Sequence, residues 1–452
     1  MMPGSPGASA HGDPSTTVGM TGLSKGSGLA RARPAAGGIP GSLSSPESEV
    51  RARTEMASTS LPLTAYTLTS ALGQGISASL SALENRQSGL RPCDFGDADI
   101  ETWIGRVDGL ESNAITGSLA AYDCRNNRLA RLALEQDGFK DAVADAASRV
   151  GASRVGVFVG TSTSGVGETE RAYRDRGDEN QGLASSYRYR TSHSLSSVAM
   201  YVRELLSLHG PAQAVSTACS SSAKVFATAH RCIESGICDA AVVGGVDSLC
   251  LMTLCGFRSL DLLSRHPCRP WDADRDGVSI GEAGGFALLE KTPKSAHVVE
   301  LLGYGETCDG HHMSAPHPDG VGSSLAMGQA LARAGIGAED VDYINLHGTG
   351  TKANDRAEDK AIVRTIGEDT PCSSTKGWTG HTLGAAGITE AILTCLCVES
   401  DLIPGTVHSR APDPELSAAI RFDNETQPMD IAISNSFGFG GSNCSLVFGK
   451  AR

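Results

Sequence analysis

Two kinds of hydrophobic spacing alternate along most of the chain. Short apolar runs bounded by turns mark strands, and continuous β-branched ones such as 155–159 and 238–245 mark buried strands. They fall at 61–73, 155–159, 238–245, 285–290, 341–346, 430–434 and 444–448. Between them, apolar residues recur at helical spacing, predicting helices over 76–85, 123–150, 198–208, 325–334, 355–366 and 387–399. Strands alternating with helices in this way indicate an α/β fold with sheets covered by helices. The pattern also repeats. Each half of the chain carries a strand-turn-helix rich in Ser and Thr, at 216–222 and 373–387. Each then closes on a glycine-rich, hairpin-like segment, at 242–248 and 434–443.

The chain is organised around the stretch 214–230, Ala-Val-Ser-Thr-Ala-Cys-Ser-Ser-Ser-Ala-Lys-Val-Phe-Ala-Thr-Ala-His. A short strand crosses small polar residues and enters a helix, leaving Cys219 at the turn. A thiol there feels the positive end of the helix dipole. At 1.36 kcal/mol per pKa unit, a dipole contribution of up to ~2 kcal/mol lowers a thiol pKa of ~8.5 to roughly 7.

No such period appears before about residue 60, where Gly, Pro, Ser and Ala dominate and disorder is expected. An upstream start codon would account for this segment, with Met56 opening the natural product. The rest divides into a first half, 61–294, carrying the nucleophile, and a second half, 295–452, carrying two histidines and a lysine. The full chain of 452 residues has a net charge of −13, which argues against a nucleic-acid binder. Its thirteen cysteines lack paired spacing, which favours a reduced cytoplasmic setting. No apolar run reaches the ~18 residues of a membrane span.

Three second-half segments end strands in polar, glycine-rich turns. They are His347-Gly-Thr349-Gly-Thr351 with Asp355 and Glu358, Lys376 with Gly380-His381-Thr-Leu-Gly-Ala-Ala-Gly387, and Phe437-Gly-Phe439-Gly-Gly-Ser-Asn443. Loops at strand ends gather at the binding crevice of α/β sheets. A cysteine, two histidines and a lysine converging there would form an acyl-transfer site. Cys308, His311, His312 and His317 match no common zinc spacing, and no metal or other cofactor is expected.

Together with Thr217-Ala-Cys219-Ser-Ser-Ser, these motifs resemble those of the β-ketoacyl-acyl carrier protein synthases, the elongating condensing enzymes of the thiolase-like superfamily. The resemblance spans about 61–449. It implies two similar βαβαβ halves in five α-β-α-β-α layers, and a homodimer or a heterodimer with a ketosynthase-like subunit. The implied reaction is decarboxylative Claisen condensation of malonyl-acyl carrier protein with an acyl thioester on Cys219. Fatty-acid and type II polyketide, aryl-polyene-like, biosynthesis are the two settings. A non-catalytic chain-length-factor partner is the alternative, but such partners lack the nucleophile.

Residue by residue, the resemblance makes Cys219 the nucleophile and His347 and His381 the donors to the enolate. Lys376 is the charge that organises them, and Glu358, with Asp355 nearby, its ion-pair partner. Backbone N–H groups of Cys219 and Phe439 form the oxyanion hole, Phe439 being the gating aromatic. Thr349, Thr351 and Phe437 fall among substrate-contacting positions. Arg125 and Arg128, three apart on a predicted helix, fall where basic residues meet the acidic carrier protein. Val278 stands where many relatives have Phe, and Thr163 where an apolar pocket-wall residue is expected; both changes suit unusual acyl chains.

Overall fold

The computed structural model describes residues 58–451 except 97–98, 178–181 and 295–296. All but the last three positions of the expected N-terminal extension, 1–60, lie outside the described residues.

The first half supplies strands β1 (Leu61–Ser70), β2 (Val155–Gly160), β3 (Ala212–Val215), β4 (Ala240–Asp247) and β5 (Ala283–Glu290). The second supplies β6 (Val299–Cys308), β7 (Tyr343–Asn345), β8 (Cys372–Ser373), β9 (Ile431–Gly438) and β10 (Ser442–Lys450). In space they run β8-β7-β9-β10-β6-β1-β5-β4-β2-β3. Each half therefore has the same internal order: third, second, fourth, fifth, first. Directions repeat as well. β2 is parallel to β3 and β4, as β7 is to β8 and β9, while the last two strands of each half pair antiparallel. The halves join where Leu61–Leu63 pairs antiparallel with Val299–Leu301.

Helices α1 (Arg125–Leu134), α2 (Phe139–Val150) and α3 (Ser196–Leu205) cover the outer face of the first half. α4 (Ser221–Glu234) packs inside, and α5 (Leu251–Ser259) follows β4. In the second half, α6 (Val321–Ala334) and α7 (Lys352–Thr365) lie outside, while α8 (Ala386–Ser400) meets α4 in the middle layer and touches strands of both halves. This gives the five layers. The middle position explains the composition of α8: it is apolar all round, and every residue from Ala386 to Val398 is buried. The stretch Leu383–Ser400 is long and apolar enough to cross a membrane by composition, contrary to the sequence reading, yet 89% of it is buried within the protein.

Two elements differ from expectation. The helix expected over 123–150 is broken into α1 and α2 by Asp137 (φ 55) and Gly138 (φ 66). The Asp137 carboxylate accepts the Ile76 N–H at 3.1 Å and the Thr67 hydroxyl at 2.8 Å, long-range bonds that override local spacing. The segment 242–248 is no hairpin. It is the end of fully buried β4, paired with β5; only 431–450 folds back on itself.

Candidate active site

The turn that carries Cys219, the expected nucleophile, is braced by its own serines. Ala218 adopts φ +53, a left-handed conformation that is uncommon for a residue with a Cβ and costs of order 1 kcal/mol or more. The Ser221 hydroxyl donates to Ala218 O at 2.5 Å and accepts the Thr217 N–H at 2.9 Å. Ser220, the residue before α4, donates to Thr217 O at 2.9 Å. The Ser222 hydroxyl accepts the Ile388 N–H at 2.9 Å, tying the start of α4 to α8. Gly387 permits that crossing, because a Cβ there would lie 2.2 Å from Ala223 N. Small residues in this run thus serve geometry: they present Cys219, 5% exposed, to the middle of the molecule.

Cys219 Sγ lies 2.9 Å from His381 Nε2. His381 follows a short helix, Lys376–Thr379, and is fixed by its own backbone: its N–H donates to Ser279 O at 2.7 Å and its carbonyl accepts from Gly281 N at 2.9 Å. His347 enters from the end of β7, its ring edge-on to His381 at 5.4 Å. Lys376 Nζ approaches His347 Nδ1 at 3.4 Å. An ammonium has only donors, so His347 accepts on Nδ1 and carries its proton on Nε2. Burial and the Lys376 charge hold both histidines well below the usual imidazole range, so both are neutral at physiological pH.

The thiol departs from the sequence expectation. Burial pushes Cys219 up to about 11, although the Lys376 charge and a hydrogen bond from the Phe439 N–H pull the other way. A dipole acting on a solvated thiol would have lowered it. Burial of all but 5% of the residue outweighs that effect.

Glu358 is likewise not the partner of Lys376. Its carboxylate, on α7, accepts the N–H groups of His347 and Gly348, each at 2.8 Å, and so holds the histidine loop. Lys376 instead pairs with Glu390 on α8; both are buried, and burial raises the Glu390 carboxyl to about 7. Glu390 went unnoticed, though it is the one charge in 386–398, and a lone charge on an apolar helix requires a buried partner. Asp355 receives the N–H groups of Trp271 at 3.1 Å and Gly350 at 3.3 Å and pairs with buried Arg275.

A cavity of about 430 Å³ opens onto Cys219, His347 and His381. Val278, Thr349, Thr351, Phe437 and Phe439 line it, as does Phe257, on which the Phe439 ring stacks at 5.5 Å. Gly438 lets the loop 438–441 lie on the nucleophile turn. The loop's far side rests on Asp309, whose N–H donates to Gly441 O at 2.8 Å. The ligand atoms of Cys219, His347 and His381 lie within 4.8 Å of one another, close enough to hold a soft cation. The neighbouring Lys376 ammonium opposes a second positive charge there.

Thr163 is not part of this cavity. Its hydroxyl and N–H both bond Asp247, at 2.8 and 2.9 Å, and Asp247 also takes the Gly384 N–H at 2.6 Å, beside the His381 loop. Arg125 and Arg128 are not free for docking either. Arg125 forms a bidentate pair with fully buried Glu282 and also reaches Glu111, while Arg128 grips Asp123 at 2.6 and 2.7 Å. Their spacing indicated a shared face but not that neighbouring Asp123 and the more distant Glu111 and Glu282 already cover it.

Comparison with known families supplies the assignment. Residues 125–295 match the beta-ketoacyl synthase N-terminal domain, and residues 298–410 the C-terminal domain. The chain belongs to the β-ketoacyl synthase family. It is 35% identical over 339 residues to "3-oxoacyl-[acyl-carrier-protein] synthase 2" of Staphylococcus aureus, covering 70% of this chain and 79% of that one. The protein of the same name in Vibrio cholerae is 31% identical over 415 residues, covering 85% and 98%. Among solved structures, the ketosynthase of Xenorhabdus doucetiae in complex with its chain length factor is similar with a TM-score of 0.79 at 38% identity, covering 87% and 98%. The ishigamide ketosynthase/chain length factor gives 0.79 at 26%, covering 88% and 100%. This member of the family is accordingly an acyltransferase with a thiolase-like fold.

Proposed function

We propose that this β-ketoacyl synthase elongates acyl chains borne on an acyl carrier protein, by decarboxylative Claisen condensation with malonyl-carrier protein. The observation that carries the reading is the contact of Cys219 Sγ with His381 Nε2 at 2.9 Å, beside a His347 whose tautomer Lys376 fixes. Cys219 attacks the acyl thioester of the first carrier. Its proton passes to His381 Nε2 and on to the departing carrier thiolate as the new sulfur–carbon bond forms and the old one breaks. Backbone N–H groups of Cys219 and Phe439 hold the thioester oxygen during the attack.

Malonyl-carrier protein enters next. Loss of carbon dioxide leaves the electron pair of the broken carbon–carbon bond on the thioester as an enolate. The Nε2–H of His347 stabilises its oxygen, joined by His381 once its Nε2 has taken up a proton from water, each such donor being worth ~2.7–4 kcal/mol. The enolate carbon attacks the Cys219 thioester, a carbon–carbon bond forms as the carbon–sulfur bond breaks, and the departing Cys219 thiolate takes its proton from His381 Nε2. Thr349, Thr351 and Phe437 contact the malonyl end, and Phe439 gates the cavity. Residues 61–294 contribute the nucleophile and 295–452 the histidines and lysine, so neither half is competent alone.

The working assembly is a dimer with a second ketosynthase-like subunit, in the cytoplasm, where the thiol stays reduced. A heteromeric pair of the polyketide type is favoured by the 38% identity to a ketosynthase solved with its chain length factor, and by Val278, which leaves more room than an aromatic side chain beside the catalytic groups. The test incubates the purified protein with malonyl-carrier protein and a panel of acyl-carrier proteins, followed by intact-mass detection. Acylation of Cys219 and a 3-oxoacyl product are expected. Neither from any donor would overturn the reading.

A further inference from the structure

Asp247, the last residue of β4, is a fully buried carboxylate with no part in the proton route proposed above. Burying such a group is costly unless its oxygens are satisfied, and here neutral donors satisfy them. The hydroxyls of Thr161, Ser162 and Thr163 donate to it at 2.6, 2.5 and 2.8 Å. The N–H groups of Ser162, Thr163 and Gly384 do so at 2.9, 2.9 and 2.6 Å.

These donors belong to two segments far apart in sequence, one beside each reacting group. Thr161, Ser162 and Thr163 form a strap that leaves β2 and packs on the elements presenting Cys219. The Thr161 N–H donates to Val215 O at 3.1 Å, at the end of β3. A Cβ on Gly160 would lie 2.3 Å from Ser222 N, at the start of α4. Gly384 belongs to the turn that follows His381. A Cβ there would lie 2.5 Å from Ser162 N and 2.6 Å from Asp247 Oδ2, so the turn rests directly on the strap. Both segments are strained next to the carboxylate. Ser164 has φ +47 and Leu383 φ +55, left-handed conformations that residues with a Cβ seldom adopt and that persist only where the surroundings impose them. Backbone bonds to Ser279 and Gly281 hold His381 from the opposite direction.

We infer that Asp247 is a positioning residue for the condensation: by holding the His381 turn against the strap, it sets the 2.9 Å separation of Cys219 Sγ and His381 Nε2. This role rests on the proton route from Cys219 to His381. Oδ1 takes the hydroxyls of Thr161 and Thr163 and the Thr163 N–H, while Oδ2 takes the Gly384 N–H. In Asp247→Asn the amide therefore keeps its oxygen on the crowded Oδ1 side and sets its nitrogen, a donor, against the Gly384 N–H. The bond that holds the His381 turn is lost, while the backbone bonds on the other side of His381 remain.

The test is a mutant cycle on the full-length protein, read as the rate of Cys219 alkylation by iodoacetamide at neutral pH, which needs no carrier. His381→Ala should slow alkylation, because the thiol loses its proton acceptor. Asp247→Asn should slow it about tenfold or more, yet by less than about twofold in the His381→Ala background. Gly384→Ala, which leaves the carboxylate in place but drives the turn off the strap, should behave in the same way, and it decides the matter if circular dichroism shows that Asp247→Asn does not fold. A merely structural Asp247 would lower the rate equally in both backgrounds; that result, or no slowing by either variant, overturns the role. If His381→Ala alone leaves the rate unchanged, the proton route fails and the role with it. If only His381→Ala slows alkylation, the route stands and the role falls.

Discussion

Gly438→Ala isolates the contact between the glycine loop and the nucleophile turn. Gly438 has φ −101 and ψ 160, which any residue adopts, so the substitution introduces no backbone strain. It introduces a tight contact. The new Cβ would lie 3.0 Å from Thr217 O, 3.1 Å from Cys219 N and 3.2 Å from Ser220 N, all backbone atoms of a turn braced by three serines. Such overpacking costs about 1–3 kcal/mol, and the loop yields more readily than the turn. Its displacement carries the Phe439 N–H away from Cys219 and the site of the developing oxyanion. Losing one oxyanion donor lowers kcat by about 10²–10³-fold, equivalent to ~2.7–4 kcal/mol. Single-turnover acylation of Cys219, followed by intact mass, reads this directly. Gly440→Ala is the comparison: its Cβ meets open space, and its φ of +77 costs only the ~1–2 kcal/mol of a left-handed residue. A Gly438→Ala enzyme acylated within about threefold of the wild-type rate would refute the assignment of Phe439 N–H to the oxyanion site.

Three other outcomes follow from the ionised groups. Alkylation of Cys219 by iodoacetamide, read by peptide mass, should rise with pH through 6–9 without a plateau, because burial holds the thiol at about 11; a plateau below pH 8 would mean a stabilised thiolate instead. Lys376→Met leaves Glu390 buried without its cation, so a carboxyl already raised to about 7 rises further. A folded-state pKa above the unfolded value of ~4.3 gives stability that is fully present below that value and lost as pH climbs through the folded pKa. The variant's melting temperature should therefore drop more at pH 8.5 than at pH 5.5, and an equal drop would count against the pair. Arg125→Ala strands fully buried Glu282 and should cost about 3–5 kcal/mol in urea unfolding; a loss under about 1 kcal/mol would return Arg125 to the surface as a candidate for docking.

The architecture was largely legible because its signals are local. Apolar runs such as 155–159 report a strand buried on both faces, and a Ser/Thr-rich strand-turn-helix in each half reveals the duplication. The convergence of Cys219, His347, Lys376 and His381 was legible for a different reason, since each sits in a short motif. What escaped was pairing across distance. Glu358 was assigned to Lys376 from its place in the histidine motif, whereas the fold turns it to backbone N–H groups and brings α8 beneath the lysine. Arg125 looked available because Glu282, its partner, lies on the far side of β3 and β4 in sequence. Thr163 was placed on the pocket wall by position alone, and only the fold shows its hydroxyl turned to Asp247.

The thiol shows why burial decides this chemistry. A solvated cysteine at a helix start would be a ready thiolate, but it would stand in water, where an enolate is protonated before it condenses. Burial instead withdraws Cys219 from bulk solvent and holds its thiol protonated, and the proposed mechanism returns that reactivity at the moment of attack. His381 does so from 2.9 Å, provided it is neutral. Neutrality is what burial and the nearby Lys376 charge enforce, and Glu390 permits that charge to remain inside. Removing any one of the three therefore disturbs the proton's route and not merely a contact. On the proposed mechanism Glu390, the residue that sequence reasoning missed, is thus as much a condition of the reaction as the lysine it holds.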